Sequence, residues 1–305
     1  MRYVVTGAAG FIGSYLAEAL LDAGHEVVAV DCFTDYYDPA RKEENAARLD
    51  VTRLDLAEDA LSFAGADGIF HLAGQPGVRS FGAVFDDYLR RNVLATQRVL
   101  EAATAAGARV VLASSSSVYG DAETYPTSED VQPRPISPYG ITKLAAEQLG
   151  RAYATSFGLD VVVLRYFTVY GPRQRPDMAL ARVVEALAAG RPFDLYGDGS
   201  QSRSFTFVGD AVAATTAAME AAAPGALYNV GGGEEATLRE AIETLERIAG
   251  RRLDLRAGPP AAGDVRRTSA DVSRIRADLG WEPRVGLEEG LQEQWLWASS
   301  RVVAR

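Results

Sequence analysis

Short apolar runs separated by longer amphipathic stretches set the rhythm of the first 165 residues. Residues 3–5, 26–30, 68–72, 109–113 and 160–164 read as strands that lack polar alternation. A strand apolar on both faces belongs to a parallel sheet covered on both sides. Between these runs, residues 11–21, 85–106 and 139–157 place apolar side chains at helical spacing. The alternation predicts an α/β fold: a Rossmann-type, doubly wound parallel sheet.

After Arg165 the rhythm changes. Gly171-Pro172-Arg173 breaks the strand, and residues 177–189 predict a helix that stops at Gly190. A charged, loop-rich stretch runs to Arg203, and the Ala-rich residues 211–223 predict a packed helix. Residues 226–230 look like one more buried strand, so the chain is expected to return to the sheet there. Residues 238–249 predict an amphipathic helix, and the tail from 264 onward predicts loops with short helices. The expected organisation is a doubly wound domain over 1–165, with returning segments near 205–232. A smaller, interleaved substrate domain covers 166–305.

The length of 305 residues fits about two domains. Charge narrows the choice of partner. With 31 Lys+Arg against 41 Asp+Glu, the net charge is −10, which argues against nucleic acid and anionic membrane surfaces. A small anionic ligand stays compatible, because a pocket can be locally positive. One cysteine and two histidines exclude a disulfide framework and make a Cys- or His-built metal cage implausible, so no metal is expected. The opening MRYVVTGAAG has no charged segment followed by an apolar core of secretory type, and no apolar run reaches about 18 residues. The expected compartment is the cytoplasm.

The turn Thr6-Gly7-Ala8-Ala9-Gly10-Phe11-Ile12-Gly13 follows the first strand and opens the first helix. Glycines there allow a tight turn and close approach of backbone N–H groups to a pyrophosphate at the helix N-terminus. The second strand ends at Asp31, whose carboxylate can accept ribose hydroxyls and would repel a 2′-phosphate, pointing to NAD over NADP. Asp55-Leu56 follows the third strand, where the carboxylate either accepts from adenine or caps a turn. Leu72, Ala73 and Gly74 end the fourth and let a cofactor pass close, while His71 reads as a packed core histidine.

Tyr139 and Lys143 stand four apart at the start of a helix, on one face. A phenol near ~10 is a poor base at neutral pH, but a neighbouring ammonium favours the phenolate. Ser114 to Ser117 follow the fifth strand, at the carboxyl edge where such sheets bind ligands.

These features together resemble an extended short-chain dehydrogenase/reductase of the nucleotide-sugar epimerase/dehydratase family. The likeness runs nearly end to end through GAAGFIG, HLAG, SSSSVYG, SPYGITK, RYFTVYGP, RSFTFVGD and LYNVGGG. It implies that NAD stays bound and that Tyr139 takes the proton from a sugar hydroxyl. Lys143 would hold the ribose and tune Tyr139, and Ser115 would bond the reacting hydroxyl. Family dehydratases carry Asp-Glu where Ser116 and Ser117 stand, and decarboxylases carry Glu at Ser117, so the resemblance points to 4-epimerisation.

RYFTVYGPRQRPDM, DCFTDYYDP and QPGVR are similar to segments of the UDP-glucuronate 4-epimerases. Many UDP-glucose epimerases carry Asn at Thr168. A C6 carboxylate needs hydroxyl or N–H donors or an Arg fork. Ser116, Ser117 and Thr168 can supply the former, with Arg175 and then Arg79 as cations. The resemblance also assigns Arg203 to the substrate diphosphate, and Asp264 and Arg266 to the uridine ribose and phosphate. It implies a homodimer through the helices at 85–106 and 139–157. The alternatives are a 4-epimerase of UDP-glucose or UDP-N-acetylglucosamine, and a non-catalytic dinucleotide sensor.

Overall fold

The computed structural model describes residues 1–77, 82–259 and 265–303. In chain order the strands are β1 (Arg2–Thr6), β2 (Glu26–Asp31), β3 (Val51–Arg53), β4 (Gly68–His71), β5 (Arg109–Ser115) and β6 (Val161–Tyr166). They continue with β7 (Thr168–Tyr170), β8 (Phe193–Tyr196), β9 (Ser202–Phe207), β10 (Leu227–Val230), β11 (Glu235–Thr237), β12 (Leu255–Gly258) and β13 (Arg267–Thr268). The helices are α1 (Phe11–Asp22), α2 (Pro39–Asn45), α3 (Phe85–Tyr88), α4 (Ala95–Ala106), α5 (Pro138–Phe157) and α6 (Ala179–Ala189). The last four are α7 (Val208–Ala221), α8 (Leu238–Ala249), α9 (Ser273–Leu279) and α10 (Leu287–Val303).

A seven-stranded sheet runs in the order β10-β6-β5-β4-β1-β2-β3, all neighbours parallel. Alternate residues feed opposite layers. Val5, Phe70, Val111 and Leu164 pack with α1 and α7; Val4, Ile69, Val110 and Leu112 pack with α4. Both faces are therefore covered, which is why the strand runs lack polar alternation. Strand order reverses between β1 and β4, and ligands of such sheets bind outside the carboxyl ends at that reversal. Strand β10 returns to pair with β6, from Leu227↔Val163 to Val230↔Tyr166.

Beyond this sheet lie short strands that the hydrophobic pattern does not predict. Strands β7, β11 and β13 pair with β9, and β12 pairs with β8. Helices α6, α8 and α10 pack against one another beside them. Strands of two to six residues leave too few positions for a period to register.

Three further differences have local causes. Ser114 and Ser115 end β5, paired with Arg165 and Tyr166, instead of following the strand. The interior tolerates Ser114 because its hydroxyl donates to Glu147, which is paired with Arg165 at 2.7 Å. The predicted helix over 85–106 is interrupted by a π turn at Leu89–Leu94, between α3 and α4. That turn holds buried Asn92, whose Nδ2 donates to Gln75 O at 3.0 Å and to Thr142 Oγ1 at 3.1 Å. The tail forms the 17-residue helix α10 where the pattern predicts short ones. Leu287, Leu291 and Ala298 are buried on it, but buried Gln294 interrupts the apolar spacing.

Candidate active site

The reversal point is built from the ends of β1 and β4. Gly7 N–H and Ala8 N–H both donate to Val30 O, at 2.8 and 3.1 Å, turning the chain back across β2. Gly7 has φ +73°, and a Cβ there would lie 2.8 Å from Ala73 N. At Gly13 a Cβ would collide with Gly7 O. Only glycine permits this turn-to-helix packing. Helix α1 starts at Gly10 with no side-chain cap and no acid in its first turn, leaving its N–H groups to a ligand. At Gly74 a Cβ would stand 2.8 Å from the side-chain oxygen Asn92 Oδ1 and 3.3 Å from Lys143 Nζ.

A cavity of about 640 Å³ opens here and continues toward β7, β9 and α6. Its wall includes Gly7, Gly10, Phe11, Ile12 and Gly13, then Asp31, Asp55, Leu56, Leu72, Ala73 and Gly74. Ser115, Ser116, Ser117, Tyr139 and Lys143 line its middle, and Thr168, Arg175 and Arg203 its far part. Residues drawn from opposite ends of the sequence thus meet on one surface.

Asp31 is buried, accepting from Ala9 N at 3.1 Å and Phe33 N at 2.7 Å. Asp55 caps its own turn through Ala57 N at 2.9 Å and also meets Arg90 at 3.3 Å. His71 is a core residue: Nδ1 contacts Thr6 Oγ1 at 2.7 Å and Nε2 contacts Thr96 Oγ1 at 3.0 Å. Burial, aided by the Lys143 charge, pushes it down to about 3, so the imidazole is neutral.

Ser137 caps α5 through Gly140 N at 3.1 Å, which sets Tyr139 and Lys143 in the first two turns facing the sheet end. Lys143 Nζ donates to Ala113 O at 2.9 Å. Burial pushes this ammonium down to about 8, against the opposing charge of Glu147. Tyr139 is pushed up by burial, with Arg175 and a hydrogen bond from Ser115 acting to lower it. Ser115 Oγ accepts from Ser117 N at 3.1 Å and lies 3.1 Å from Ser117 Oγ.

Arg175 is half-buried and forms a two-point pair with Asp177, at 3.0 and 3.1 Å. Arg203 Nη1 donates to Ser202 O at 2.8 Å. Arg266 is exposed and is not on the cavity wall; its carbonyl accepts from Ser202 N at 3.0 Å, while Val265 and Thr268 line the cavity. Arg79 and Asp264 lie outside the described residues. Tyr36, Lys42 and Asp177 also line the cavity, and the sequence does not single them out. The Tyr36-Tyr37 doublet in a polar loop was a usable signal, whereas Lys42 sits in a charged helix and carries none. Among the described residues no group of acids, histidines and cysteine is arranged to hold a metal ion, and no helix is long and apolar enough to cross a membrane.

A family model for the NAD dependent epimerase/dehydratase family matches residues 3–231. The chain belongs to that family. It is 40% identical over 312 residues to the Bacillus subtilis (strain 168) protein YtcB, described as an uncharacterized UDP-glucose epimerase, covering 98% of each chain. It is similar to the crystal structure of UDP-glucuronic acid 4-epimerase from Bacillus cereus in complex with UDP-glucuronic acid and NAD. That likeness has a TM-score of 0.95 and 38% identity, over 99% of this chain and 100% of that one. MoeE5 in complex with UDP-glucuronic acid and NAD matches with a TM-score of 0.90 and 44% identity, over 99% and 100%.

Proposed function

We propose that the chain is a NAD-dependent UDP-glucuronate 4-epimerase that interconverts UDP-glucuronate and UDP-galacturonate. The observation that carries this is the juxtaposition in one cavity of Tyr139 and Lys143 with hydroxyl donors and a cation. Ser116, Ser117 and Thr168 offer the donors and Arg175 the charge, and the serine run holds no acid for eliminating water.

The glycine cradle, the uncapped start of α1 and Asp31 fit NAD, which when bound supplies reversible acceptance of hydride. Tyr139, as phenolate, accepts the proton of the C4 hydroxyl while hydride departs from the same carbon, and Ser115 hydrogen-bonds that hydroxyl. The 4-keto sugar then rotates about its link to the diphosphate, and hydride returns to the other face. Tyr139 gives its proton back, so acid, base and oxidation level are restored in each turnover. Arg203 and Arg266, with Arg79 and Asp264, are proposed to serve the substrate's far end.

A second reading, a 4-epimerase of UDP-glucose, has support in the description of YtcB and in MoeE5 in complex with UDP-glucose and NAD. One experiment separates the two. The purified protein is incubated with UDP-glucuronate, UDP-glucose or UDP-N-acetylglucosamine, and the sugar proton couplings are followed by NMR. Inversion at C4 of UDP-glucuronate is expected; inversion of UDP-glucose alone overturns the proposal.

The division of labour proposed is cofactor binding by 1–165 with the returning strand, and substrate binding by 166–305. A homodimer is proposed through α5 and the helical stretch from α3 to α4. Large apolar residues there support it, since Leu89, Leu94, Ile141 and Phe157 are exposed. Light scattering tests it. A cytoplasmic site of action is proposed too, in keeping with the chain's single, unpaired cysteine.

A further inference from the structure

Arg175 and Asp177 face each other on the cavity wall in a specific orientation. Arg175 Nε donates to Asp177 Oδ1 at 3.0 Å and Nη2 donates to Oδ2 at 3.1 Å. Four of the five N–H groups of a guanidinium form two edges, each able to grip a carboxylate at two points. Asp177 occupies the side edge, made of Nε and Nη2. The end edge, made of Nη1 and the second Nη2 hydrogen, is left for another carboxylate.

Asp177 is itself held. Tyr36, from the loop after β2, donates its hydroxyl to Asp177 Oδ2 at 3.3 Å. The backbone carrying the pair is pinned as well, by Met178 N to Arg175 O at 3.1 Å and by Gln174 Nε2 to Val169 O at 3.0 Å. Tyr36, Arg175 and Asp177 all line the same cavity as Tyr139.

We propose that Asp177, steadied by Tyr36, is a positioning residue that fixes Arg175 with its end edge open for the carboxylate of a uronate substrate. This rests on the UDP-glucuronate reading above. An arginine on a free stem would have to give up its rotamer freedom when the substrate arrives; one already clamped has given it up on folding. Asp177 also brings a like charge, but the two carboxylates grip different edges of one cation. Each is then nearer to the guanidinium than to the other, so attraction exceeds repulsion.

The test is calorimetric binding of UDP-glucuronate and UDP-glucose to the NAD-loaded protein, in wild type and in Asp177→Ala, Tyr36→Phe, Arg175→Ala and the Arg175→Ala/Asp177→Ala double variant. Asp177→Ala should weaken UDP-glucuronate relative to UDP-glucose by about 10-fold. Tyr36→Phe should move the ratio the same way by about 2-fold. In the Arg175→Ala background, Asp177→Ala should no longer weaken UDP-glucuronate relative to UDP-glucose, because its positioning effect passes through Arg175. An unchanged ratio overturns the proposal, and so does a raised one, which would make Asp177 a competitor of the substrate carboxylate. Equal weakening of both sugars would mean a purely structural pair and overturns it too. A wild-type protein that does not bind UDP-glucuronate overturns the functional reading itself. One that binds it while the variants leave the ratio unmoved overturns the positioning role alone.

Discussion

The ammonium of Lys143 donates to the carbonyl of Ala113 at 2.9 Å, deep at the end of β5. Burial lowers its proton affinity to about 8, well under that of a lysine in water. A lysine whose folded value is depressed costs stability at every pH below that value, and the cost is relieved only as pH rises toward the unfolded value. At pH 7 the full cost applies, about 3 kcal/mol, and a variant without the amine gives back about 1 kcal/mol of the gain by leaving the Ala113 carbonyl without its donor. Lys143→Met should therefore raise stability by about 2 kcal/mol while lowering epimerase activity by orders of magnitude. Thermal melts and turnover assays on the same preparation check both halves. A less stable variant would mean that the Ala113 contact outweighs desolvation.

Tyr139 is the group proposed to move the proton. Replacing it with Phe keeps the ring and its neighbour Tyr88, 6.3 Å away between centroids, and removes only the acid/base oxygen. Turnover should fall by about 10²–10⁴-fold, the usual contribution of a positioned acid/base group. Binding of the UDP-sugar, measured by calorimetry, should change far less. Comparable losses in binding and turnover would assign Tyr139 to substrate binding instead of chemistry.

Much of this arrangement is legible in the sequence because strong constraints wrote it there. A sheet buried on both faces forces apolar runs, and a turn that admits no Cβ forces Gly7 and Gly13. Tyr139 and Lys143 must share a helix face, so their spacing shows. The π turn at Leu89–Leu94 is not legible, because widening a helix by one residue needs no particular side chain. Gln294 hides α10 by taking a core position, where it donates to Gln174 Oε1 at 2.9 Å. The partner of Arg175 is hidden for another reason. Asp177, two residues on, reads from sequence as the first residue of a helix, and only the fold turns it back onto the guanidinium.

His71 offers a pH test inside the core. It is neutral in the fold, pushed down to about 3, whereas in the unfolded chain it takes a proton below its ordinary ~6.5. The unfolded state thus binds more protons between these values, and stability falls as pH drops through that window. The loss from this group is about 1 kcal/mol per pH unit. Nitrogen NMR at pH 5 should show the His71 imidazole still neutral in the folded protein. A protonated ring at that pH would contradict the assignment of His71 to the core, between Thr6 and Thr96.

Oxidising C4 of a glucuronate creates a β-keto acid, a compound that loses CO₂ when the bond to the carboxylate lies perpendicular to the carbonyl plane. An epimerase must survive that intermediate on every turnover. Thr168 opens β7, held to β9 opposite Phe205, and lines the cavity with Ser116 and Ser117, the three donors proposed to hold the carboxylate away from the perpendicular. Removing one donor frees the group to rotate. Thr168→Ala should therefore release CO₂ and form a 4-keto pentose nucleotide beside UDP-galacturonate, leaving part of the cofactor reduced. Mass spectrometry of the products and the absorbance of reduced nicotinamide check this independently. If the variant epimerises more slowly but cleanly, with no CO₂ and no reduced cofactor, Thr168 binds the sugar without guarding the carboxylate.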